Sequence, residues 1–234
     1  MKCASALVRR CSSAFVLGCL SVVSASAQEA PALRAHRVVL EGGLVWSGSY
    51  GIGDVTAQMR SNAPGTTPPP VTWFAVSSEV GAAASAVARI GFTLTPGVMI
   101  EGGGMFGMPR VAMTITADAE AGPQQLEGEQ LKQYVIDGAL VWQLPLRFGP
   151  RLRSFVSGGA GYLRQLHEER TLAETGQVYY AGVGARYWFR GGAGRGRSLG
   201  LRGDLRANFR RGGIDFEDRT RVYPTAGVHL FFGL

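Results

Sequence analysis

Tyr223-Pro-Thr-Ala-Gly-Val-His-Leu-Phe-Phe-Gly-Leu234 is the stretch from which the fold is read. Every second residue from its end gives Leu234, Phe232, Leu230, Val228 and Ala226, an unbroken apolar face. The residues between them, Gly233, Phe231, His229, Gly227 and Thr225, are small or semi-polar apart from Phe231. Period-two alternation marks a β-strand, whose successive side chains point to opposite faces, and about ten such residues suffice to cross a bilayer. Lipid on one side and a lumen on the other account for both faces. In this register Phe232 meets lipid and Phe231 faces the lumen, where its replacement by Ser is expected to be harmless.

The same alternation recurs upstream. Residues 37–49 set Val38, Leu40, Leu44 and Trp46 against Arg37, Glu41 and Ser47, and residues 86–94 set Ala88, Ile90, Phe92 and Leu94 against Arg89, Gly91 and Thr93. After a turn at Thr95-Pro96-Gly97, a third strand begins at Val98 with Ile100 and Phe106 outward and Glu101 inward. Its pattern breaks at Met108-Pro109, where a bulge is expected, and resumes with Val111, Met113 and Ile115. Residues 133–144 place Tyr134, Ile136, Leu140, Trp142 and Leu144 opposite Gln133, Asp137 and Gln143, with aromatic residues near both ends as an interfacial girdle requires. Residues 152–164 make a fifth strand, whose run Gly158-Gly159-Ala160-Gly161 leaves its faces unassigned.

Residues 178–189 alternate Tyr179, Ala181, Val183, Ala185, Tyr187 and Phe189 with Tyr180, Gly182, Gly184, Arg186 and Trp188. Residues 199–209 alternate Leu199, Leu201, Leu205, Ala207 and Phe209 with Arg202, Asp204, Arg206 and Asn208. Residues 50–85, 118–129, 165–177 and 210–221 read as long loops. The first holds Pro68-Pro69-Pro70, which cannot join a sheet ladder, and a β-prone stretch, 71–80, that reads as a strand extension beyond the membrane. Eight strands joined alternately by short turns and longer loops predict an all-β chain, an eight-stranded antiparallel transmembrane β-barrel in an up-and-down meander. A soluble barrel would turn its apolar face inward and spread charge over its outward positions, whereas the polar faces here hold mostly small residues with one or two charges each.

Residues 1–27 read as a cleaved signal peptide: Lys2, Arg9 and Arg10 are its basic region, residues 14–23 its apolar core, and Ala25-Ser26-Ala27 its cleavage site. Val16-Leu17-Gly18-Cys19 loosely matches a lipoprotein signal, and is the strongest alternative. Cleavage leaves residues 28–234 as the barrel domain, removes Cys3, Cys11 and Cys19, and lowers the formal charge from +7 to +4. Disulfides and thiolate chemistry are thereby excluded from the mature chain. The remaining surplus of Arg suits anionic head groups rather than nucleic acid. No mature segment is apolar over the ~18 residues that a membrane helix needs.

Pattern and terminal strand together resemble the small eight-stranded barrels of the Gram-negative outer membrane, the opacity-protein and OmpW-like group. The terminal signal of such barrels usually ends in Phe or Trp, and here it ends in Leu234. The resemblance implies export to the outer membrane and insertion by the barrel assembly machinery, which would read Val228, Leu230, Phe232 and Leu234. It also implies short turns in the periplasm, long loops outside, and contact with outer-membrane lipid and lipopolysaccharide. A monomer without cofactors is expected.

The inward faces collect Glu41, Arg89, Glu101, Asp137, Arg186, Arg202, Asp204 and Arg206, four acids and four bases. An eight-stranded barrel is only wide enough for side chains to fill it, so a paired, hydrogen-bonded core is expected. The alternative is a gated polar path opened by exchange of ion-pair partners. Histidines test for catalysis, because lipid A-modifying barrels use His and Ser with a carboxylate. Among His36, His167 and His229, no Ser stands at the spacing to His229 that such deacylases show. His167 with Glu168 and Glu169 reads as a solvated charge cluster rather than a metal site. The glycine runs at 102–104 and 191–196 precede no helix with Lys-Ser or Lys-Thr and do not signal phosphate binding. The function expected is a non-enzymatic outer-membrane barrel with a structural or surface-loop role. The competing readings are a porin-like conduit for small, hydrophobic molecules and, behind it, a lipid A-modifying enzyme.

Overall fold

Residues 38–60, 69–116, 122–147, 149–167, 172–190, 197–215 and 219–234 are described by a computed structural model of the chain. They form the strands β1 (Val38–Ser47), β2 (Tyr50–Met59), β3 (Val71–Val80), β4 (Ala83–Thr95), β5 (Val98–Gly107) and β6 (Arg110–Thr116). These are followed by β7 (Gln124–Gln130), β8 (Lys132–Arg147), β9 (Leu152–Leu166), β10 (Ala173–Arg190), β11 (Ser198–Gly212) and β12 (Arg221–Gly233). Eight of them close a barrel in the order β1-β12-β11-β10-β9-β8-β5-β4, with all neighbours antiparallel. The expected signal peptide and His36 lie outside the described residues.

Closure follows from the terminal strand. On β1 and β12, Leu40 stands opposite Phe232, Leu44 opposite Val228 and Trp46 opposite Ala226, while Glu41 meets Phe231 and Gly43 meets His229. The first set is the outer face and the second the inner one. Leu44, Ile136, Leu140, Val183, Leu205, Val228 and Leu230 are each more than half exposed, although a soluble chain would bury them. On β9 the outward positions from Leu152 to Tyr162 span about 25 Å at roughly 3.3 Å per residue and a tilt of about 40°. That is the height of a hydrocarbon band. The molecule is an eight-stranded transmembrane β-barrel with charges inside and hydrocarbon outside.

The faces of β9, unassigned from sequence, are settled by Phe155, Ser157, Leu163 and Gln165, which are buried in the lumen. Gly159 faces the lumen as well, because a Cβ there would lie 2.5 Å from the ring of Tyr180.

Three connections differ from the sequence reading. Residues 50–59 form β2 and residues 124–130 form β7, where loops were expected, and Met108-Pro109 is a joint between two sheets rather than a bulge within one strand. Together with β3 and β6 they build a four-stranded sheet in the order β2-β3-β6-β7, which repeats the order β1-β4-β5-β8 of the wall from which it continues. At the joints the Gly81 amide donates to the Arg110 carbonyl at 2.8 Å and the Leu131 amide to the Pro109 carbonyl at 2.8 Å, so backbone groups stay paired through the break. β2 is hard to read because register shifts at Gly51/Gly53 and Ala57/Gln58 interrupt its alternation.

Candidate functional site

Strand register carries all eight predicted charges into the lumen, and each is less than a tenth exposed. Six of them make one network. Arg186 donates from Nη2 to Glu41 Oε1 at 2.7 Å and to Glu101 Oε1 at 2.6 Å. Arg202 donates from Nη1 to Glu41 Oε2 at 2.6 Å and to both oxygens of Glu101 at 2.8 Å. Carboxylates therefore alternate with guanidiniums, and each desolvated charge has a counter-charge within hydrogen-bond reach. Asp204 extends the chain, accepting from Arg202 Nε at 3.1 Å and from Arg206 Nε at 2.6 Å. The remaining pair stands apart: Arg89 Nη2 donates to Asp137 Oδ2 at 2.8 Å.

Residues outside the predicted set complete the site. The Tyr180 hydroxyl donates to Asp137, and the Tyr180 ring lies under the Arg206 guanidinium at 4.9 Å, linking the isolated pair to the network. His229 Nε2 is 3.1 Å from Asp204 Oδ2. The ring of Phe155 carries Arg202 at 4.5 Å and Arg186 at 5.4 Å, and Phe231 carries Arg186 at 5.8 Å. Cation-π contact of this kind strengthens where water is excluded. Glycines make room for these rings: a Cβ on Gly184 would lie 2.4 Å from Phe155 Cζ, and one on Gly200 2.3 Å from Phe231 Cζ. The sequence signal for Tyr180, His229 and Phe231 was their lumen register; what it lacked was any indication of their partners.

Below the network, toward the short turns, Val39, Met99, Val141, Phe155, Trp188 and Phe231 form an apolar floor. Trp188 and Phe231 meet edge-on with centroids 5.5 Å apart. Phe231 is thus a packing residue, so its replacement by Ser is expected to carry a cost that its register alone does not suggest. Above the network, Val135, Leu163 and Val178 form a collar with Met105 packed against it. A cavity of about 30 Å³ lies between collar and network, lined in part by Arg89, Asp137, Tyr180 and Arg206. It is far smaller than a ligand pocket of several hundred Å³ and has room for no more than a few water molecules.

The mouth is closed by side chains from both sheets: Tyr50, Ile52, Val80, Val111, Leu131, Ile214 and Tyr223. Tyr50 and Tyr223 stack at 4.8 Å, and Arg210 lies 4.8 Å over the Tyr50 ring and also donates to a Tyr50 hydroxyl. Arg210 Nη2 donates to the Ile214 carbonyl at 2.7 Å, and Gln165 donates to Gln133 Oε1 at 2.9 Å. Burial pushes the Tyr50 phenol above the usual tyrosine range, which holds it neutral as an acceptor.

Outside the lumen, His167 Nδ1 lies 2.8 Å from Glu129 Oε2 on β7. Glu168 and Glu169, the neighbours considered with it from sequence, lie outside the described residues. Among the described residues no group of three His, Cys, Asp or Glu side chains is placed to hold a metal ion.

No protein-family model matches the chain, and no curated protein matches it in sequence. Several solved structures are similar at a distance. The outer membrane protein OprG from Pseudomonas aeruginosa is 8% identical over 87% of this chain and 98% of its own, with a TM-score of 0.49. The outer membrane protease OmpT from Escherichia coli is 9% identical over 83% of this chain and 96% of its own, with a TM-score of 0.38. The closed eight-stranded wall and its apolar exterior give the chain the fold of a small transmembrane β-barrel.

Proposed function

We propose that the protein is a closed, non-enzymatic barrel of the outer membrane, exported by a signal within residues 1–27, which anchors a four-stranded sheet outside the bilayer for a structural or surface-contact role. The contact between Arg202 and Glu101 supports this reading most directly. β11 and β5 stand four places apart in a ring of eight, so this 2.8 Å pair joins opposite walls and fills the lumen between them. Arg202 is 0% exposed and Glu101 1%, with an apolar floor on one side and a tyrosine-lined mouth on the other. At that level the paired side chains occupy the span between the walls. The carboxylate beside His229 is enclosed in the same layer, away from any substrate that a lipid-modifying enzyme would take.

Planar-bilayer recording of the refolded chain tests the proposal. Baseline conductance is expected at potentials of about 100 mV in either direction, where the work on one elementary charge is about 2.3 kcal/mol. Sustained single-channel steps would overturn the closed barrel in favour of the conduit.

A further inference from the structure

We propose that the outward surface of β8, β9, β10 and β11 at their loop ends is a binding site for the phosphate groups of an anionic glycolipid in the outer leaflet. The apolar outer face of these strands ends in a row of exposed rings: Tyr134, Tyr162, Tyr179 and Phe209. The next outward residues toward the loops are Lys132, Arg164, Gln177 and Arg211. Register ties the two rows together. Tyr134 stands opposite Arg164, Tyr162 opposite Gln177, Gln177 opposite Arg211, and Tyr179 opposite Phe209. Gln177 accepts from the Tyr179 hydroxyl at 2.9 Å, so ring and head-group rows are also bonded to each other.

Charge complementarity selects the occupant. Arg164 and Arg211 are exposed, Lys132 is half-buried, and among the described residues no carboxylate pairs with any of the three. Among the described residues, Glu129 is held by His167 and Glu174 stands opposite Gln165 on the lumen register. The loop-end outward positions of β12, β1 and β4 are Val222, Trp46 and Ala84, so the cationic arc belongs to one side of the barrel. Guanidiniums just above an aromatic girdle sit at head-group depth, where they pair with phosphate in bidentate geometry. Arg164 is level with Thr175 of β10 and Arg211 with Gln177, so the two are separated by two strand spacings and two residues of rise, about 12 Å in all. That separation suits a head group with more than one phosphate better than a single phosphodiester. The inference rests on the proposed place of the barrel in the outer membrane with its loop ends outward, but not on whether the lumen conducts.

Retention of diphosphorylated lipid A by the refolded full chain in zwitterionic micelles, read by native mass spectrometry, tests the site. About fivefold weaker retention is expected for Arg211→Gln, following the roughly 1 kcal/mol that each basic residue contributes at an anionic surface. At least tenfold is expected when Lys132→Gln and Arg164→Gln are added. Arg60→Gln, on the exposed tip of the second sheet, should retain lipid as the wild type does. Because these side chains sit on the exterior, heat-modifiability of every variant should stay normal. Wild-type retention by the triple variant, or equal loss in Arg60→Gln, would overturn the site. Equal retention of phosphatidylglycerol would overturn the glycolipid, and displacement of lipid A by millimolar inorganic phosphate would overturn a lipid in favour of a free anion.

Discussion

Below mid-barrel the lumen is filled by ions, and at its mouth by rings and aliphatic side chains. The lower tier is built on alternate positions of continuous wall strands, so each charge is aimed by the pleat alone. Arg202, Asp204 and Arg206 of β11 are successive lumen positions and reach three different neighbourhoods of the same network. The upper tier is built where the wall is interrupted: Tyr50, Ile52, Val80 and Val111 come from the second sheet, and Leu131 from the joint between β7 and β8. The difference teaches that one barrel closes its lumen twice, once by electrostatic satisfaction and once by burial, and that the two closures should fail in different ways.

Removing a single charge should have the largest effect. Glu101→Ala leaves Arg186 with Glu41 alone and Arg202 with Glu41 and Asp204, and Asp137→Ala leaves Arg89 without a carboxylate. Each should lower the stability to unfolding from micelles by about 3 to 5 kcal/mol, while joint replacement of Arg89 and Asp137 by Leu should cost less than Asp137→Ala alone. A single-charge variant with wild-type stability and altered ion selectivity would mean that water reaches this tier.

Next comes the floor on which the ions rest. Phe231→Ser removes a ring that packs on Trp188 and carries Arg186, and it should cost about 3 kcal/mol in the same unfolding measurement. If Phe231→Ser is silent, the floor does not support the network and the comparison between tiers loses its lower member.

At the mouth the expected loss is smaller. Tyr50→Phe keeps the stacking on Tyr223 but removes the oxygen that accepts from Arg210, which should cost about 1 to 2 kcal/mol. Arg210 retains the carbonyls of Gly212 and Ile214, so the charge is not stranded as Arg89 would be. A loss equal to that of Glu101→Ala would show that the mouth, too, is held by charge.

The two tiers were unequally legible in the sequence for the same physical reason. Glu41, Glu101, Asp137 and Arg202 could be assigned to the lumen because uninterrupted period-two strands fix the side of every residue. Their pairing could not be assigned, because which strands face one another across a barrel depends on closure: Arg202 is far from Glu101 along the chain and across the ring, yet in contact with it. Tyr50 and Ile52 were read as loop because register shifts and neighbouring glycines erase the alternation of β2. Residues 71–80 read as a strand extension without a visible partner, because the partner, β2, is itself without clear alternation.

Phe232→Arg should have the smallest thermodynamic effect, and it separates the two faces of the strand that also carries the floor. Phe232 stands opposite Leu40 on β1 and Leu199 on β11, on the outer face, one residue from the fully lumenal Phe231. A charge on lipid costs about 2 to 4 kcal/mol at the midplane and about 0 to 1 near an interface. Phe232 lies level with the turn end of the barrel, opposite the second residue of β11, so its cost should be at the low end. Refolding into detergent should therefore remain near wild type, in contrast to Phe231→Ser. If Val228, Leu230, Phe232 and Leu234 are what the assembly machinery reads, the same variant should reduce the folded, heat-modifiable band in outer membranes well beyond what a loss of 1 kcal/mol explains. Normal levels in membranes would remove Phe232 from the recognition surface. Failure to refold in detergent would instead place Phe232 among the packing residues, and the division of β12 into a lipid face and a packing face would no longer hold.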